Sequence, residues 1–199
     1  MARVVRVLAA LVVAAAALTA CSGGGDDDGA TDSFPTVPEG FGFTVIGADV
    51  HAIGAYAPFP PELQRSVLAT VNAYLTAGVV QPLQDDKPPA GVEAAFTPVA
   101  ATRLAGPDRA ALVEDGAFAR GDLRQERANV RFTAMRGPSG DIVVVTAQLD
   151  IALVVETSVG DVAAVRAGEM VLVPDGDGWR IDAFDVVARH HSLEPGQAP

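Results

Sequence analysis

Residues Ile142 to Glu156 read IVVVTAQLDIALVVE, and the period of this stretch decides the fold. Val143, Val145, Ala147, Leu149, Ile151, Leu153 and Val155 fall on one side, and Thr146, Gln148, Asp150 and Glu156 on the other. Alternation of period two belongs to a half-buried strand, because successive side chains of an extended chain point to opposite faces. Working outward, RANVRFTAMR (127–136) repeats the pattern with Val130, Phe132 and Ala134 in phase, and GPSGD (137–141) supplies a turn between the two. On the other side, TSVGD turns the chain into VAAVRAGEMVLVP, and DGDG turns it again into WRIDAFDVVAR. Four strands joined by short turns read as an antiparallel meander. In the last of them Trp179, Ile181 and Ala183 share a phase that Phe184 and Val186 break, which predicts a β-bulge or a strand covered on both faces.

The first half follows a different period. PPELQRSVLATVNAYLTAG (60–78) opens on prolines suited to a first helical turn, spaces Leu63, Val67, Val71 and Tyr74 or Leu75 for one buried stripe, and places Gly78 as a stop. QPLQDDKPPAG (81–91) reads as a loop. Two short helices follow, the first capped by Thr97 with Pro98 in its first turn. Upstream, DVHAIGAYAPFPPEL (49–63) offers an added strand with no assigned role.

At the amino terminus, Arg3 and Arg6 precede an uncharged run from Val7 to Ala20, shorter than the roughly 20 residues a spanning helix needs and laid out as a secretory signal peptide. LTAC (18–21) with the polar SGGGDDDGATDS behind it resembles the bacterial lipobox. The resemblance implies cleavage before Cys21, a diacylglycerol on its sulfur and an acylated new amino terminus, so that residues 1–20 are removed and the mature chain is tethered to a membrane. Two or more acyl chains suffice for stable anchoring. Residues 21–40 read as the lipidated Cys and a flexible acidic tether, 41–191 as a single domain, and 192–199 as a frayed tail.

Cys21 is the only cysteine, so the domain folds without disulfides and depends on an apolar core. The formal net charge of −11 becomes −13 once Arg3 and Arg6 are removed with the leader, and such a surface repels nucleic acid. Arg greatly outnumbers Lys, with Lys87 alone, a usage associated with GC-rich genomes such as those of actinobacteria.

The helix bearing Tyr74, the turn at Pro138 to Gly140 and the final Gly178-Trp179-x-Ile181 strand together resemble the nuclear transport factor 2-like superfamily over roughly residues 60–190. The resemblance implies an α+β class, with a long N-terminal helix plus short helices packed on a curved, cone-like antiparallel meander of about four strands. It also implies a pocket at the open end, used for catalysis in some members and for binding or assembly in others. Tyr74, Phe96, Phe132 and Trp179 are the large groups expected to meet around such a pocket, with plain core packing as the alternative.

Catalytic members of that family need a carboxylate or His in the pocket, and the apolar face of 142–156 carries none. Asp150 reads as a surface acid that would become a pocket acid only if the packing were inverted, and Asp182 as a surface residue whose face the phase break in the last strand leaves open. His190 and His191 are neighbours on a strand and point apart, and with His51 elsewhere they do not read as a metal site. Asp26, Asp27 and Asp28 lie in a glycine-rich tether without a cage, and DGDG (175–178) lacks the later Glu of a calcium loop. No cofactor motif is present. The leading expectation is a lipid-anchored, extracytoplasmic, non-enzymatic domain whose partners are the membrane, through its lipid, and an apolar small molecule or an envelope protein. An isomerase- or cyclase-like enzyme and a structural accessory subunit are the rivals.

Overall fold

Two extended segments open the folded chain before any helix. In the computed structural model, which describes residues 34–52, 55–85, 88–115, 121–158, 160–194 and 199, these are β1 (Thr44–Ala52) and β2 (Ala55–Pro58). α1 (Pro61–Leu75) runs through a wide turn at Thr76–Val80 into α2 (Gln81–Asp85), and a 3-10 turn at Val92–Ala95 leads to the short α3 (Pro98–Arg103) and α4 (Arg109–Leu112). Four long strands complete the chain: β3 (Asp122–Arg136), β4 (Ile142–Thr157), β5 (Gly160–Asp175) and β6 (Gly178–Ser192). All described residues belong to one compact unit. Residues 1–33, and with them the signal segment, Cys21, the Asp26 to Asp28 run and most of the proposed tether, lie outside the described residues, as does Lys87.

The expected class, a helix-led α+β chain with a cone-like four-stranded antiparallel meander, is corrected by this architecture. The described residues are built on a six-stranded mixed sheet in the order β2-β1-β3-β4-β5-β6, strands account for 49% of them, and beyond one helical run the helices are few and short. β3 to β6 pair antiparallel through hairpins, with positive-φ Gly140 and Gly176 in two of the turns. β1 breaks the antiparallel pattern by pairing parallel with β3, from Thr44 opposite Asn129 to His51 opposite Met135. A parallel pair needs a long crossover, and here the whole helical region serves as one. TVIGADVHA alternates weakly, with Gly47, Asp49 and His51 in it, so its local pattern gives little sign of a strand whose partner is far away in sequence.

The helical run also departs from its sequence reading. It passes Gly78 and ends at Asp85 because the turn at Thr76–Val80 widens, with the Gln81 N–H reaching back to the Thr76 carbonyl. Pro82 gives the reason. It lacks the N–H that would satisfy the Gly78 carbonyl four residues earlier, and its ring would crowd that carbonyl, so the helix relaxes to a wider turn. The freed Gly78 carbonyl accepts from Glu114 N at 2.8 Å. Gly78 is therefore a packing position rather than a stop: a Cβ there would lie 3.1 Å from Val92 Cγ2 and 3.4 Å from Val113 Cγ1.

Between helix and sheet lies the core. Val67, Val71, Tyr74 and Leu75 face Val130, Phe132, Ala147, Leu149, Ile151, Met170, Leu172 and Ile181, all buried. Each fully buried Val or Leu contributes about 1.5–3 kcal/mol. Thr70 Oγ1 donates to the Trp179 carbonyl at 2.8 Å and fixes the helix to the start of β6. The phase break in β6 is a bulge: Ile181 pairs with Leu172 and Ala183 with Val171, leaving Asp182 as the extra residue.

Candidate functional site

The alternation of β5 places Ala164, Arg166, Gly168, Met170 and Leu172 on the core side, and one of these is a cation. Arg166 is wholly buried, opposite Ile151 on β4 and Ala188 on β6. A lone guanidinium there would be prohibitively costly, so it must be paired. Its Nε donates to the Ala111 carbonyl at 3.2 Å, and its Nη2 lies 2.6 Å from Glu114 Oε1. That second contact is an ion pair by distance with its N–H groups off hydrogen-bond direction, and Nη1 has no hydrogen-bond partner among the described residues. Glu114 is itself buried, held by its backbone N–H on Gly78. His190 completes the cluster from β6, Nε2 to the same carboxylate oxygen at 2.9 Å. Because a carboxylate only accepts, that imidazole nitrogen is the donor. His190 is the one member of the triad that reaches solvent, its side chain about one third exposed.

The electrostatics follow from these contacts. Burial pushes the Glu114 carboxyl up, but the His190 hydrogen bond and the Arg166 and His190 charges outweigh it, and the group ends below the usual carboxylate range. Tyr74 lies near the same charges. Its hydroxyl is pushed up to about 12, mainly by burial, with Arg166 opposing and Glu114 adding. A phenol that stays protonated and a carboxylate held ionised by the Arg166 charge and the His190 hydrogen bond are poor proton-transfer groups near neutral pH. The arrangement instead ties α4 and the residues after it to β5 and β6.

Tyr74 Oη is fully buried with no hydrogen-bond partner among the described residues. Tyr74→Phe is therefore expected to leave unfolding free energy within about 0.5 kcal/mol of wild type, or to raise it, since it removes an unsatisfied polar group. A loss above about 1.5 kcal/mol in urea denaturation would reveal a partner on that hydroxyl.

The residues singled out from sequence are distributed differently from a pocket. Tyr74, Phe96 and Phe132 are buried in the core, Tyr74 meeting Phe96 edge-on at 6.1 Å and Phe96 meeting Phe184 at 5.9 Å, while Phe132 stacks obliquely on Phe59. Trp179 is half-buried against the same core. Arg103 covers the Phe184 ring at 3.9 Å. Asp182 is exposed and accepts from Thr97 Oγ1 at 2.9 Å, the hydroxyl that also caps α3. Asp150 is on the solvent face of the sheet, 2.6 Å from Arg127 Nε. It borders a shallow groove of about 230 Å³ with Ile46, Asn129, Arg131, Gln148 and Glu169. His191 follows His190 on the opposite face. Among the described residues no three His, Cys, Asp or Glu side chains converge to hold a metal ion, and no helix is long and apolar enough to cross a membrane.

Sequence reasoning missed Glu114 and Arg166. The available signal was Arg166 itself, a cation in the apolar phase of an otherwise regular strand. Comparison of the chain with protein-family models, with curated proteins and with solved structures finds no match.

Proposed function

We propose that this chain is a lipid-anchored, extracytoplasmic, non-catalytic domain that engages an envelope protein through the exterior of its sheet. The observation that carries this reading is the placement of Tyr74, Phe96 and Phe132: all three are buried in the core, Tyr74 against Phe96 and Phe132 against Phe59, which favours packing over the lining of a ligand chamber. What the domain offers to a partner is the solvent face, where Ile46, Met135 and Val187 stand exposed among Arg131, Asp150 and Glu169. Apolar groups surrounded by charged ones are a usual composition for a protein-binding surface. Anchoring rests on the LTAC sequence at 18–21.

Native mass spectrometry of the chain, extracted in mild detergent from bacteria that process lipoproteins, tests both parts. The expected species lacks residues 1–20, carries lipid on Cys21 and retains no non-covalent small molecule. Cys21→Ser is expected to stay uncleaved and without lipid. An apolar molecule retained in stoichiometric amount would make the domain a ligand carrier instead, and normal processing of Cys21→Ser would remove the anchor reading.

A further inference from the structure

The two edges of the sheet are guarded differently. At one side β2 has four residues, ends at Pro58 and is followed by Pro60 and Pro61, which makes it short and poor in donors. At the other side β6 runs for 15 residues. Main-chain cover on its outer side comes at its start, where Phe96 bridges Ile181 and Thr97 N donates to the Ile181 carbonyl at 2.9 Å. Beyond the bulge at Asp182, no described segment pairs with the outer side of the strand. α4 lies over the core face of this region, as its Ala111 carbonyl on Arg166 requires.

The open stretch Ala183–His191 is centred on Val187, a residue 54% exposed on the solvent face. Asp185 precedes it by two residues and Arg189 follows it by two, so alternation puts all three on that face. Both charges are unmatched in a single copy. Asp185 is registered opposite Glu169, a like-charge pair that destabilises a sheet, and neither Asp185 nor Arg189 takes part in an ion pair among the described residues. Along an extended strand the two are about 13 Å apart, too far to meet each other.

We propose that this chain forms a two-fold dimer by antiparallel pairing of β6 with β6 of a second copy over Ala183–His191, with Val187 on the axis. A residue any number of positions before Val187 then faces the residue the same number after it in the other copy. Asp185 meets Arg189 of the second copy, twice over. On the core side Val186 meets Ala188, so the apolar row continues across the seam. An edge protected against self-pairing carries charges that repel under this symmetry. Here they attract, and a contact in which the same patch serves both copies closes without leaving an open edge at that side. The self-complementary charge order is what selects a second copy over a strand of unrelated sequence.

Sedimentation velocity of the whole processed chain in mild detergent tests this. Wild type is expected to dimerise, with Asp185→Arg and Arg189→Asp each weakening the dimer more than about tenfold, because each sets two like-charge contacts against one another. The double reversal D185R/R189D is expected to restore it, which separates lost pairing from lost folding. With Cys21 occupied by lipid, Val187→Cys should form a disulfide dimer under mild oxidation, since facing Cβ atoms in such a pair lie about 4.5–5.5 Å apart, and Thr146→Cys from the middle of the same face should not. A monomeric wild type, or a dimer indifferent to both single reversals, would overturn the proposal. A monomer that retains no small molecule would overturn it while leaving the envelope-partner reading intact, and a dimer with a retained apolar ligand would do the reverse.

Discussion

Glu114→Gln is expected to lower the unfolding free energy by about 3–5 kcal/mol, because it keeps the shape of the side chain and removes the charge that compensates a wholly buried Arg166. A urea titration of each protein reads this directly. The companion variant E114L/R166M removes both charges and is expected to recover most of the loss, since well-packed apolar groups of similar volume replace buried ion pairs with little penalty. The effect also has a pH signature. In the fold the Glu114 carboxyl titrates below its ordinary 4.5, so its contribution is present above that value and is lost as pH falls through the folded pKa. Wild type should weaken in that acid range, and Glu114→Gln should lack this part of the acid dependence. A loss under about 1 kcal/mol at neutral pH would mean that Arg166 finds water when its partner is gone.

Gly168→Ala is expected to be comparably severe, above about 4 kcal/mol, or to prevent folding altogether. Gly168 sits mid-strand on the core side of β5, with φ +152°. A Cβ built there would lie 2.1 Å from the Asp185 carbonyl oxygen and 2.7 Å from Val186 Cα. Both are backbone atoms of the neighbouring strand, so no rotamer change relieves the clash and β5 and β6 would have to part at their centre. The same approach defines the middle of β6, where Asp185 and Val186 belong to the proposed dimer edge. Thermal unfolding of the purified variant provides the test, and a melting temperature within a few degrees of wild type would show that the two strands can separate locally at little cost.

How far these features could be read from the chain depends on whether their cause is local. The hairpin strands announce themselves because alternation and turn residues lie within the same short window, as in Ile142–Glu156. The helix stripe Val67, Val71 and Leu75 is legible for the same reason. The end of that helix is not, because Gly78 and Pro82 look like stop signals and act together as a widened turn whose carbonyl is satisfied by Glu114. β1 is hidden by its weak pattern and by a parallel partner beyond the helical region, and this is what turns the expected four-stranded meander into a six-stranded mixed sheet. The site suffers most. Aromatic residues suggest a pocket but occupy the core, while the buried ions come from segments that only the fold brings together.

The parallel pairing of β1 also sets an order of events. Thr44 must find Asn129, 85 positions later, so a chain made from its amino terminus presents β1 long before its partner exists. Until then β1 has only β2 to pair with, and a two-stranded ribbon is marginal by itself in water. The features that obscure β1 in the sequence, Gly47 together with the polar Asp49 and His51, are then useful: they make the waiting strand a poor template for neighbouring chains. Pairing β1 with β3 therefore carries the entropy cost of the long loop it closes.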